Sequence, residues 1–140
     1  MRSTILPLLF TLTSAHAATA LVVMDEEVAE CIGFLQAQET ARLLSGESYS
    51  PAFPDRDKEL WHRIRATVHQ EWVTAANPSF PALDDAAYAA EIARVFAEAL
   101  PYASGLPPVL TDGEEPIDRD EYMTGYGKMC WQIAEEFSAS

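Results

Sequence analysis

The chain has 140 residues, of which 22 are acidic and only 9 are Lys or Arg, so its formal charge is −13. Nucleic acids and anionic membrane surfaces both require a basic face, and this composition argues against either as a partner. Apolar residues make up 49% of the chain, which is enough for one domain with its own core.

Residues 1–17 have the layout of a secretory signal peptide. A positive Met1-Arg2 start precedes the short apolar run Ile5 to Leu12, and small residues lead up to Ala17. We therefore expect cleavage after Ala17, a single helical domain over 18–140, and a periplasmic or secreted location. The alternative is an apolar first helix of the domain. No later segment is apolar and long enough to predict membrane insertion.

Hydrophobic periodicity predicts an all-α fold, a small bundle of about four helices. The predicted bounds are 24–44, 57–76, 84–100 and 119–138. Gly46 follows the first helix as a usual stop signal. The third helix is expected to end before Pro101, so that residues 101–117 form a long linker with little regular structure.

Cys31 and Cys130 are the two cysteines of the chain, and in an oxidising compartment such a pair predicts a disulfide. Cys31 shares an apolar helical stripe with Val28 and Leu35, and Cys130 shares one with Ile133. Both sulfurs should therefore point inward, so that the bridge joins the first and last helices. The alternative, a catalytic thiol, would need a histidine base.

Residues 124–131, TGYGKMCW, place two glycines inside the predicted last helix. Each glycine costs a helix about 1 kcal/mol relative to alanine, so the pair needs a reason. We interpret Gly125 and Gly127 as allowing the last helix to pack closely on the first, with Trp131 and Tyr126 covering the sulfur. The alternatives are that the helix begins near Thr124, or that a ligand binds at this stretch.

Two similar stretches, PAFPDRD at 51–57 and PSFPALDD at 78–85, each precede a predicted helix. Prolines stiffen the approach, an aspartate caps the helix, and Phe53 or Phe80 is expected to pack back as a hydrophobic staple. A Pro-rich recognition motif is the alternative. Asp118 is predicted to cap the last helix.

No candidate metal or catalytic site emerges from residue spacing. His62 and His69 are seven residues apart on a face that we interpret as solvated, which is too wide for a helical zinc pair. Met123 and Met129 do not share a face, and the acidic segment 111–121 lacks EF-hand spacing. The sequence therefore predicts no cofactor, no metal and no enzymatic activity.

The functional expectation is an exported, non-enzymatic interaction or binding protein with a protein partner. In its size, export signal and single cysteine pair between helices, the chain resembles small helical periplasmic proteins such as acid-stress chaperones and immunity proteins. The alternative is a small-ligand or metal carrier, with an aromatic-lined cavity in the bundle formed by Trp61, Trp72, Tyr122 and Tyr126.

Overall fold

The computed structural model describes residues 21–46 and 55–138, and within these it forms four helices and no strand. They are α1 (Asp25–Leu44), α2 (Asp55–Ala75), α3 (Asp85–Ser104) and α4 (Arg119–Ser138). The predicted all-α bundle is confirmed. The signal peptide predicted at 1–17 and the staple predicted at Phe53 lie outside the described residues.

Helix α1 lies at the centre of the bundle. It makes its most extensive contact with α3 and also touches α2 and α4. All four helices contribute to one core, because each turns an apolar stripe inward. The largest fully buried apolar side chains are Val28, Cys31, Phe34, Ile64, Val68, Val95 and Ile133.

The close contact between α1 and α3 depends on Gly33. A Cβ atom at this position would lie 2.5 Å from the backbone oxygen of Ile92 and 3.1 Å from the backbone nitrogen of Phe96. Both atoms belong to the α3 backbone and cannot rotate away. Gly33 therefore allows the two helix backbones to approach closely.

The starts of α3 and α4 follow the predicted capping chemistry. Asp84 Oδ1 accepts a hydrogen bond from the backbone N–H of Ala87 at 2.7 Å. Asp118 Oδ2 accepts from the N–H groups of Asp120 and Glu121 at 3.1 and 3.4 Å. These side chains satisfy donors that the first turn of a helix leaves unpaired, so both predicted caps are confirmed.

The predicted end of the third helix is wrong by four residues. Helix α3 continues through Pro101 to Ser104 and ends at Gly105, whose φ is 71°. The N–H of Leu106 donates to the carbonyl of Pro101 at 2.9 Å, which closes the last turn. A proline near a helix end removes one hydrogen bond, and burial of Tyr102 in the core favours the extra turn.

Over the described residues, no helix combines the length and the hydropathy that a bilayer-spanning segment requires.

Candidate functional site

The disulfide predicted between Cys31 and Cys130 is present and joins α1 to α4. The two Cα atoms are 5.5 Å apart, and both residues are buried at 0% and 4% exposure. Beside the bridge, the rings of Phe34 and Tyr126 stack with centroids 5.2 Å apart. This burial excludes the reactive-thiol alternative, since a bridged and buried sulfur is not a nucleophile.

The interpretation of the TGYGKMCW glycines is wrong. A Cβ atom added at Gly125 or Gly127 would meet nothing within 4 Å, so neither glycine mediates the contact between α4 and α1. Trp131 does not cover the sulfur either, because it is 66% exposed. Gly33 on α1 is the glycine that permits a close approach, and its partner helix is α3.

The two tyrosines predicted to line a cavity do lie together, but in a packed stack of rings. Tyr122 stacks on Tyr102 with centroids 4.0 Å apart and is tilted against Tyr126 at 5.1 Å. The hydroxyl of Tyr122 donates to Glu98 Oε1 at 2.9 Å. The stack joins α3 to α4 and continues to Phe34 of α1.

The two tryptophans of the predicted cavity lie apart from that stack. Trp72 donates its Nε1–H to the carbonyl of Val23 at 2.8 Å, and its ring is tilted against Phe80 at 5.9 Å. Trp61 is buried and lines a cavity of about 350 Å³ between α1, α2 and α3. One cavity shared by all four aromatic residues stays a prediction.

Three carboxylates converge on the face shared by α1 and α3, which the spacing analysis missed. Each of Glu26, Glu30 and Glu91 offers an oxygen, and these oxygens all lie within 4.8 Å of one another. Arg94 Nε lies 3.1 Å from both carboxylate oxygens of Glu91, and its Nη1 lies 3.2 Å from Glu98 Oε2. A cation at this cluster would have to compete with Arg94 for Glu91.

The crowding of negative charge acts mainly on Glu30. Burial raises the pKa of Glu30 to about 7, and the carboxylates of Glu26 and Glu91 contribute to the same rise. The neighbouring Tyr126 also has its pKa raised, to about 12, by burial first and by Glu30 second. Protonation of Glu30 therefore relieves the repulsion between its carboxylate and those of Glu26 and Glu91.

We expect the protein to lose stability as pH rises through the window from about 4.5 to about 7. In that window folded Glu30 keeps a proton that the unfolded chain has released, so rising pH favours unfolding. Glu30→Gln should therefore raise the free energy of unfolding at pH 8 by about 1 kcal/mol, after allowance for solvent screening. Urea unfolding at several pH values measures this effect.

The control for this experiment is Glu135→Gln, at an exposed position on α4. It removes the same charge from a solvated face and should leave the pH dependence unchanged. Equal stabilisation by both substitutions would assign the effect to the net charge of −13 and not to the cluster.

A second polar pair, Asp25 and His69, also escaped the spacing analysis. Asp25 is 1% exposed, and its Oδ2 lies 2.8 Å from His69 Nδ1 and accepts from the N–H of Leu83 at 2.8 Å. The His69 side chain stays 40% exposed, in keeping with a solvated face, but its Nδ1 faces a buried carboxylate. The hydrogen bonds of Asp25 join the start of α1 to α2 and to the segment before α3.

A carboxylate that orients a histidine is one half of a nucleophile-activating site. Within the described part of the chain, no hydroxyl or thiol forms a hydrogen bond with the other ring nitrogen of His69. Asp25 Oδ1 and the Tyr88 hydroxyl are buried without hydrogen-bond partners. What the structure shows of this pair is an interhelical anchor between α1 and α2.

Comparisons of this chain with protein-family models, with curated proteins and with solved structures find no significant match.

Proposed function

We propose that this chain is an exported, non-enzymatic protein that binds a protein partner through the outer face of α4, as an inhibitor, immunity protein or chaperone would. One observation supports this most directly. Trp131 is 66% exposed on a helix whose Gly125 and Gly127 have no neighbour for an added Cβ. This outer face, formed by Thr124, Gly125, Gly127, Lys128 and Trp131, is called the α4 face below.

The α4 face carries two costs that folding does not offset. A large indole is left in water, and each helix glycine costs about 1 kcal/mol relative to alanine. Gly127 lies one helical turn before Trp131, so the absence of a side chain leaves a shallow recess beside the ring. Tryptophan is enriched among residues that dominate binding energy, and glycine allows a partner backbone to approach.

The charge of the chain indicates the chemistry of the partner. With a formal charge of −13, the protein attracts a basic surface and repels an acidic one. Complementary charge accelerates association and makes it depend on salt. We therefore propose a basic protein as the partner, attracted by the acidic chain as a whole and not by the α4 face itself, whose charged residue is Lys128.

Export is supported by the charge, apolar run and small residues of positions 1–17. The disulfide between Cys31 and Cys130 agrees with an oxidising compartment. The intact mass of the purified periplasmic protein should accordingly match a chain that begins at Ala18.

Trp131→Ala is expected to weaken partner binding at least about 30-fold, as truncation of a central interface tryptophan does. The measurement is quantitative capture from a periplasmic extract with oxidised wild-type and variant baits, followed by titration of the captured basic protein. Stability should change by less than about 0.5 kcal/mol, because the indole is mostly solvated.

Val109→Ala provides the matched control, since Val109 is an exposed apolar residue at 81% exposure in the segment between α3 and α4. This bait should retain the partner. Retention by Trp131→Ala, together with loss by Val109→Ala, would move the interface away from the α4 face and contradict the proposal.

A small-ligand carrier is the second candidate, and the cavity beside Trp61 favours it. That cavity of about 350 Å³ combines the apolar Ile32 and Phe96 with the polar His62 and Lys58. Its volume is at the lower end for small-molecule sites. If the protein is a carrier, a bound apolar ligand should quench its tryptophan fluorescence. Phe96→Trp, which fills the cavity, should abolish that quenching.

A further inference from the structure

The first turns of α4 border a second cleft, which has a different chemistry from the rest of the protein. It has a volume of about 490 Å³ and lies between the last turns of α1 and α3 and the first turns of α4. Arg42 and Arg119 both line it, and none of the described lining residues is acidic. In a chain with 22 acids and 9 bases, this concentration of positive charge is notable.

The guanidinium of Arg42 is incompletely paired. Its Nη1 is buried, and within the described residues it has no hydrogen-bond acceptor. An unsatisfied buried donor costs about 1–3 kcal/mol, and more when it is charged, so such a group calls for an acceptor. The Nη1 atom itself is closed to the cleft, so an oxyanion there would be held by the remaining N–H groups of Arg42, for which the described residues also show no acceptor.

Arg119 is held in place by the end of α3. Its Nε donates to the carbonyl of Tyr102 at 2.6 Å, and its Nη2 lies 3.5 Å from the carbonyl of Ala103. These bonds fix the plane of the guanidinium before any ligand arrives. A rigid arginine fork loses little conformational entropy when it binds a planar oxyanion.

The helix ends around the cleft do not cancel this positive charge. The C-terminal ends of α1 and α3 contribute about −0.5 each, and the N-terminal end of α4 contributes about +0.5. The two arginines outweigh the two C-terminal ends and leave the lining at about +1, while Asp118 and the acidic first turn of α4 offset the positive end of that helix. Apolar side chains complete the lining, namely Leu44, Leu106 and Met123.

We infer that this cleft binds a small organic anion, whose oxyanion head is held by Arg42 and Arg119 while its short apolar body packs against Leu44, Leu106 and Met123. The cavity volume lies within the range of small-molecule sites. The site is separate from the α4 face and does not depend on a protein partner.

Hexanoate serves as the probe, titrated into the full oxidised protein at low ionic strength and followed by two-dimensional NMR of backbone amides. We expect saturable shifts that concentrate at residues 41–45, 103–106 and 119–123. Uncharged 1-hexanol and cationic hexylamine, which have the same number of carbon atoms, should bind at least about tenfold more weakly, because a charge-assisted hydrogen bond contributes that much.

Arg42→Gln should weaken hexanoate binding at least about tenfold, and Arg42→Lys, which keeps the charge and the aliphatic stem, should weaken it less. Arg63→Gln is the control, because it removes one positive charge from an exposed position on α2. Equal affinity for hexanoate and 1-hexanol, no saturable shift, or equal effects of Arg42→Gln and Arg63→Gln would each overturn the site.

Discussion

Replacing Cys31 and Cys130 together by alanine is expected to lower the free energy of unfolding by about 4 kcal/mol. The bridge joins residues separated by 99 positions, and a loop of that length is strongly restricted in the unfolded chain. Loss of two buried sulfur atoms from the core adds a smaller cost. Because small domains have about 5–15 kcal/mol of stability in total, this loss is severe.

Urea unfolding of the double variant, compared with wild type in the presence and absence of a reductant, measures the effect. Reduced wild type should resemble the double variant, and a single Cys130→Ala substitution should cost about as much as the pair. A double variant as stable as oxidised wild type, or two free thiols in the native protein, would contradict the assignment of a structural bridge.

The disulfide could be predicted from sequence because two independent patterns agree. Helical periodicity places Cys31 and Cys130 on inward stripes, and two cysteines allow only one pairing within the chain. The helix bounds were predictable for the same reason, since apolar stripes, aspartate caps and proline-rich linkers all mark the same boundaries. The helix end predicted before Pro101 was the exception, because burial of Tyr102 outweighs the tendency of proline to end a helix.

The polar clusters were not predictable, because tertiary packing assembles them. Asp25 and His69 are 44 residues apart, and the approach of Glu91 to Glu30 depends on how α3 packs against α1. Periodicity shows which face of a helix is apolar, and it does not show which helix that face contacts. The crowded acids at the start of α1 were visible, but without Glu91 and Arg94 they indicated only a favourable helix dipole.

The role of each helix glycine was also not predictable from the sequence. A glycine within a helix indicates that something approaches the backbone or that the cost is tolerated, and the sequence alone does not separate these cases. Gly33 belongs to the first class, with the α3 backbone against it. Gly125 and Gly127 belong to the second within this chain, which is why they support an external partner at the α4 face.

Gly33→Ala is therefore expected to destabilise the protein by about 2–3 kcal/mol, although alanine is the better helix former. The added Cβ would lie 2.5 Å from the backbone oxygen of Ile92 and 3.2 Å from the Cβ of Val95. Helices α1 and α3 would have to separate, which loosens the core around Phe34. Thermal and urea unfolding, with helix content checked by circular dichroism, measure the loss.

Gly125→Ala and Gly127→Ala are the matched controls, with an expected effect of opposite sign. Nothing lies within 4 Å of either added Cβ, so each substitution should stabilise the protein by about 0.5–1 kcal/mol through helix propensity alone. If the α4 face binds a partner as proposed, the same Gly127→Ala variant should bind it more weakly while unfolding at higher urea. Destabilisation by Gly127→Ala would show that a neighbouring helix lies against α4 at this glycine, and would restore the packing role first assigned to TGYGKMCW. Stabilisation by Gly33→Ala would contradict the close contact between α1 and α3.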